Sequence, residues 1–243
     1  MKQPLPQSAL RSLPRRQTLA LLPGALCDAA LWRHQIAGLS EIADVRVGDL
    51  TRDDSIGAMA ARILASMPPR FALAGLSLGG YVALEIMRRA PERVTKLALL
   101  GTTARAEPST EPVPGVSPAV LELPRPVGAT PMMALLVHPM RFSDRRLVTI
   151  LAAMADRVGR KAFLRQQQAI LKRPDSWPDL AEIGCPTLLL SGREDRLAPP
   201  DLQKAMAAVL PAARQVIIEE CGHLSPLERP ESVTKALRVW LGA

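Results

Sequence analysis

Short runs of apolar residues recur six times along this chain, at 18–22, 42–47, 71–75, 94–100, 187–191 and 215–219. Most are apolar at consecutive positions rather than alternate ones, so both faces of each run must be covered. Longer segments of helical periodicity lie between them, at 30–39, 55–67, 78–89, 200–210 and 231–241. This alternation predicts an α/β fold, a mostly parallel six-stranded sheet covered by helices on both faces. A chain of 243 residues can bury a large core without disulfide staples.

The alternation breaks once. Residues 108–131 hold seven prolines and no strand pattern, which predicts an irregular loop. Helical patterns follow near 131–137, 144–157 and 160–172, with Leu147, Ile150, Leu151, Met154 and Val158 forming an apolar stripe. A helical insertion in a strand–helix alternation reads as a lid over the carboxyl ends of the strands, where open α/β sheets bind ligands. The chain therefore divides into a loose proline-bearing tail at 1–16, a core at 17–103 and 182–243, and a helical cap at 104–181.

The formal net charge is +8, and its densest segment is 141–173, with nine basic residues against Asp144 and Asp156. Arg157, Lys161 and Arg165 share one helix face. That face reads as solvated, with steering of anionic substrates as a second use. Seven aromatics in the whole chain leave no platform for base stacking, so no nucleic-acid partner is expected. No run of 18 apolar residues suggests a membrane span. Arg15-Arg16 ahead of Leu19-Ala20-Leu21-Leu22 resembles an export leader, but Pro23 cuts the apolar core short and the segment reads as a buried strand. Cys27, Cys185 and Cys221 cannot all pair and match no zinc spacing. A reducing, cytoplasmic setting without metal or organic cofactor is expected. The oligomeric state is not legible.

The chemistry concentrates at Gly75-Leu76-Ser77-Leu78-Gly79-Gly80, between an apolar run and a helical pattern. This is G-x-S-x-G in a strand–turn–helix setting. A sharp turn would project Ser77, and the small neighbours let strand and helix approach. Serine needs a base at neutral pH. Of the three histidines, His34 lies in an early helix and His138 in the insertion, whereas His223 follows the last apolar run in a loop at a strand's carboxyl end. An acid must orient that base. Gly192-Arg193-Glu194-Asp195 follows the fifth run, with Asp195 the first choice, Glu194 the second and Asp201 a distant third; no acid follows the fourth run at Gly101-Thr102-Thr103. The order Ser77, Asp195, His223 is the nucleophile–acid–histidine order of α/β-hydrolases. The N–H groups of Leu78, at the helix start, and of Ala25, in the loop after the first run, would form an oxyanion hole.

On these residues the chain resembles the α/β-hydrolase superfamily over about 17–103 and 182–243. Within it, Pro23-Gly24-Ala25, the serine turn, Gly192-Arg193-Glu194-Asp195 and Gly222-His223 resemble small serine esterases and enol-lactonase-like enzymes with a short helical cap. There are three departures. Pro23 stands where many members have histidine. The glycine-rich loop common in relatives is replaced by Asp49–Ser55. Too little chain precedes 17 for an N-terminal antiparallel hairpin, so the sheet should be all parallel with six strands.

The resemblance implies hydrolysis of a small carboxylic ester or lactone through an acyl-enzyme. Carbon–carbon bond and thioester hydrolysis use the same residues, and a weakly catalytic binding protein would share the fold. Leu26, Met132, Met133, Leu136 and Met140 are candidate substrate contacts. An aliphatic, methionine-rich lining would suit a modest aliphatic or monocyclic acyl group. Cys221 reads as packing.

Overall fold

The computed structural model describes residues 16–106 and 135–242. The proline-rich segment, Met132 and Met133 lie outside the described residues. Six strands form one sheet: β1 (Gln17–Leu22), β2 (Ala43–Val47), β3 (Phe71–Leu76), β4 (Val94–Leu100), β5 (Thr187–Gly192) and β6 (Ala213–Ile218). Their order is β2-β1-β3-β4-β5-β6, and every pair is parallel. Seven α-helices are described: α1 (Arg33–Leu39), α2 (Ile56–Ser66), α3 (Leu78–Arg89), α4 (Arg145–Leu171), α5 (Pro200–Ala207), α6 (Ser225–Glu228) and α7 (Pro230–Leu241).

The two-residue period of a strand sorts the apolar runs onto two faces. Leu19 and Leu21 of β1, Ala72 and Ala74 of β3, and Leu188 and Leu190 of β5 join one buried cluster with Leu39 of α1 and Val233 and Leu237 of α7. Ala20 and Leu22, Phe71 and Leu73, and Leu189 face the other way, against Met59 and Ile63 of α2, Val82 and Ile86 of α3, and Met206 of α5. This explains why the runs carry no alternation: both faces are core.

The insertion between β4 and β5 bridges these faces. Leu147, Leu151 and Met154, early in α4, pack into the first cluster, while Ala169, near its end, packs into the second. The expected pair of helices is present as two stretches of α4 that meet at a kink at Gly159, whose φ of 74° and ψ of 160° are non-helical. Glycine holds that conformation without a Cβ penalty. The stripe expected from sequence is buried at Leu147, Leu151 and Met154 and half-buried at Ile150 and Val158. The basic face is not simply solvated. Arg157 pairs with Asp28 at 2.6 Å, and Arg165 donates to the Thr51 carbonyl at 2.7 Å, so two of its three cations fasten the insertion to core loops.

Candidate active site

Ser77 occupies the turn from β3 to α3 with φ 53° and ψ −116°, backbone that a non-glycine residue rarely holds. Hydrogen bonds of its backbone, among them the Tyr81 N–H to its carbonyl (3.2 Å), hold it there. Its N–H donates to the Leu100 carbonyl of β4 (3.0 Å), and its carbonyl accepts from the Gly80 N–H (2.8 Å) and the Thr102 hydroxyl (3.0 Å). The glycines work by what they lack. A Cβ on Gly75 would stand 2.2 Å from the Gly79 carbonyl oxygen, and one on Gly79 would stand 2.3 Å from the Leu22 carbonyl oxygen. Strand, turn and helix thus touch backbone to backbone. From Phe71 to Gly80, only Ser77 is not buried.

Two strands away, Asp195 and His223 meet. His223 Nδ1 lies 2.9 Å from Asp195 Oδ2 and 3.0 Å from Oδ1, and both residues are 3% exposed. Asp195 Oδ1 also accepts the N–H groups of Leu197 and Ala198, each at 2.9 Å, which fixes the carboxylate's orientation. Burial alone would lower the imidazole's pKa. The charge and hydrogen bond of Asp195, with a smaller contribution from Glu228, outweigh it and hold His223 above the ordinary histidine value. An Nδ1–H donated to Asp195 leaves Nε2 as the acceptor.

Gly101 joins the serine turn to this pair. It follows Leu100, the partner of the Ser77 N–H, and has a positive φ of 46°. A Cβ there would stand 3.0 Å from Asp195 Oδ2 and 3.2 Å from His223 Nδ1. Gly24 closes the other side, its notional Cβ 3.6 Å from the Ser77 Cβ. Among the described residues, no group accepts from the N–H of Ala25 or of Leu78.

Other candidates have different neighbours. Glu194 turns away from the imidazole of His223: its Oε2 accepts the Cys221 N–H at 2.9 Å. Asp201 is exposed at the start of α5. His34 accepts from Arg33 on α1. His138 lies in the insertion, 3.8 Å from Glu194. Leu136 is half-buried and its carbonyl accepts the Leu224 N–H, whereas Met140 is 75% exposed. Burial pushes the Cys221 thiol up, as expected of a packing residue. Among the described residues, no group of three or more His, Cys, Asp or Glu is placed to hold a metal ion, and no helix is long and apolar enough to cross a membrane.

Two buried polar residues were not among the sequence candidates. Glu228, in the short α6, accepts the His138 N–H (2.7 Å) and the Gly222 N–H (3.2 Å) on a single oxygen, tying the insertion's root to the loop before His223. Gln166, fully buried on α4, accepts the Leu26 N–H (3.1 Å) and donates to the Leu50 carbonyl (3.2 Å). Gln166 lies on a core-facing side of α4, where a polar residue needs a partner. That was the only available hint.

A strained serine turn at a central strand of a parallel sheet, with a helical insertion after β4, defines an α/β-hydrolase. Residues 19–236 match the model of the alpha/beta hydrolase family, and the chain belongs to it. It is 29% identical over 237 residues to a pimeloyl-[acyl-carrier protein] methyl ester esterase of Nitrosomonas europaea, covering 88% of this chain and 91% of that protein. It is 30% identical over 243 residues to a Pseudomonas savastanoi protein provisionally named carbamate hydrolase RutD, covering 93% of each. The enol-lactonase structure from Burkholderia xenovorans superposes with a TM-score of 0.82 at 20% identity, covering 94% of this chain and 92% of that one, a likeness of fold.

Proposed function

We propose that this chain hydrolyses carboxylic esters, lactones included, through an acyl-enzyme on Ser77. The observation that carries the reading is the placement of Gly101 after β4, between the strained Ser77 turn and the buried Asp195–His223 pair. In this reading His223 Nε2 takes the Ser77 proton as Oγ attacks the carbonyl. Asp195 holds the Nδ1–H tautomer and stabilises the imidazolium. The N–H groups of Ala25 and Leu78 receive the oxyanion, and water then attacks the acyl-enzyme as His223 again serves as base. The insertion acts as a cap over the site, with Leu26 and Leu136 on its approach. Three free cysteines, two of them buried, support a cytoplasmic setting.

The methyl ester esterase relative puts alkyl esters of aliphatic acids first among substrates to try. The test is an ester, lactone, carbamate and thioester panel on wild type and Ser77→Ala, with fluorophosphonate labelling of both. Wild type should turn over a short ester and take the label at Ser77. The variant should lose the activity by roughly 10⁴-fold or more. Retention of most ester hydrolysis by Ser77→Ala would end this reading. Failure of folded wild type to take the label would favour a binding protein.

A further inference from the structure

We infer that Gln166 is a positioning residue for the oxyanion hole, so that the insertion sets the rate of the chemical step as well as covering the site. The inference rests on the ester-hydrolase reading. The loop after β1 offers the Ala25 N–H, and the next residue, Leu26, holds a positive φ of 56°. A leucine does not keep that conformation unaided. A turn bond from the Cys27 N–H to the Gly24 carbonyl (3.2 Å) closes the loop on one side. The Ala25–Leu26 peptide itself is held by Gln166, whose Oε1 accepts the Leu26 N–H. The Gln166 amide is oriented in turn by its bond to the Leu50 carbonyl. One neutral, planar amide therefore bridges two core loops from a helix 140 positions away in sequence. The same helix grips the loop again through Arg157 and Asp28.

The chemistry of the side chain is specific. It must accept on one atom and donate on the other, and it must carry no charge beside a developing oxyanion. An apolar replacement strands the Leu26 N–H and frees the adjacent peptide to rotate, which turns the Ala25 N–H away from the oxyanion. A glutamate satisfies Leu26 but cannot donate to the Leu50 carbonyl until it is protonated.

The test uses Gln166→Met and Gln166→Glu beside wild type, with melting temperature recorded for each. Gln166→Met should lower kcat about tenfold, a fraction of what deleting an oxyanion donor costs, with KM nearly unchanged. It should slow fluorophosphonate labelling of Ser77 in parallel. Gln166→Glu should have its best kcat/KM relative to wild type at acid pH, falling as the buried carboxyl ionises. If Gln166→Met fails to fold, the pH dependence of Gln166→Glu decides. Unchanged kcat in folded Gln166→Met, a rise in KM alone, or a flat Gln166→Glu to wild-type ratio across pH overturns the inference and leaves the ester-hydrolase reading standing. Absence of labelling and turnover in wild type overturns both.

Discussion

The two halves of the site are held in different ways. Ser77 is fixed by contacts of backbone on backbone at Gly75 and Gly79, positions where any side chain would overlap main-chain atoms. His223 is fixed by carboxylates. Asp195 holds the ring, Glu194 the Cys221 N–H, and Glu228 the Gly222 N–H. The first half is steric, belongs to the sheet, and has no titratable part. The second half is electrostatic, and Glu228 shares its oxygen with His138 of the insertion. Steric damage should therefore reach the fold and the activity together, whereas electrostatic damage should reach the activity and its pH profile first.

The largest effect should come from Asp195→Asn. The amide oxygen can still accept from Leu197 and Ala198, so the melting temperature should change little, but the imidazole loses its anionic partner and its fixed tautomer. On the proposed mechanism kcat should fall by roughly 10⁴-fold, the loss seen when a Ser–His–Asp triad loses its carboxylate. A loss of stability equal to the loss of activity would mean that this half is as steric as the other.

Gly79→Ala probes the opposite half. Its Cβ would meet backbone of β1, which cannot rotate aside, so the overlap should destabilise the fold by about 3 kcal/mol. Urea midpoints would measure it, and residual activity should track the folded fraction and the displaced serine together. A normal midpoint with lost activity would show that the turn deforms without troubling the sheet.

This division also explains what could be read from sequence. Crowding by glycines leaves a local, spaced signature, so the serine turn and β3, buried at every position, were legible. Asp195 and His223 were legible because each follows an apolar run, at the carboxyl end of a strand. Boundaries failed where side chains do not report the pairing. The last strand was expected at 215–219 and runs Ala213–Ile218, because Ala213 and Arg214 pair through main chain with Thr187 and Leu188 at a half-exposed edge. Helix α5 ends at Ala207 rather than 210. The 144–157 and 160–172 patterns are two helical stretches, as expected, parted by the non-helical Gly159. Glu228 and Gln166 were illegible because a single hydrogen bond across 90 or 140 positions has no period. The charges on the basic face of α4 are legible in sequence, but the acceptors of Arg157 and Arg165, on distant loops, are not.

Glu228→Leu should fall below Gly79→Ala in effect. It removes the acceptor of two buried N–H groups, His138 and Gly222, while relieving a buried carboxyl, and we expect a net loss of about 2 kcal/mol. Because both groups lie at the junction of the insertion with the histidine loop, the loss should come with raised hydrogen exchange at 136–138 and 222–224. Exchange confined to one of these segments would mean that Glu228 does not couple them.

Glu228→Gln should have the smallest effect and the sharpest meaning. The amide matches the carboxylate in size, and its oxygen can accept the same two N–H groups, so the fold and kcat at optimal pH should be nearly preserved. What changes is charge. Burial pushes the Glu228 carboxyl up, while two N–H groups on one oxygen favour the anion, and that anion adds to Asp195 in holding His223 above the ordinary histidine value. In the proposed mechanism His223 must be neutral to accept the serine proton, so kcat/KM should rise with pH through that elevated value. Removing the Glu228 charge makes the imidazolium less favourable and should move this acid limb to lower pH, with the plateau unchanged. An unmoved limb would mean that Glu228 is already protonated there. The histidine half would then rest on Asp195 for its charge and on Glu228 only for hydrogen bonds, which would narrow the electrostatic contrast between the two halves to one residue.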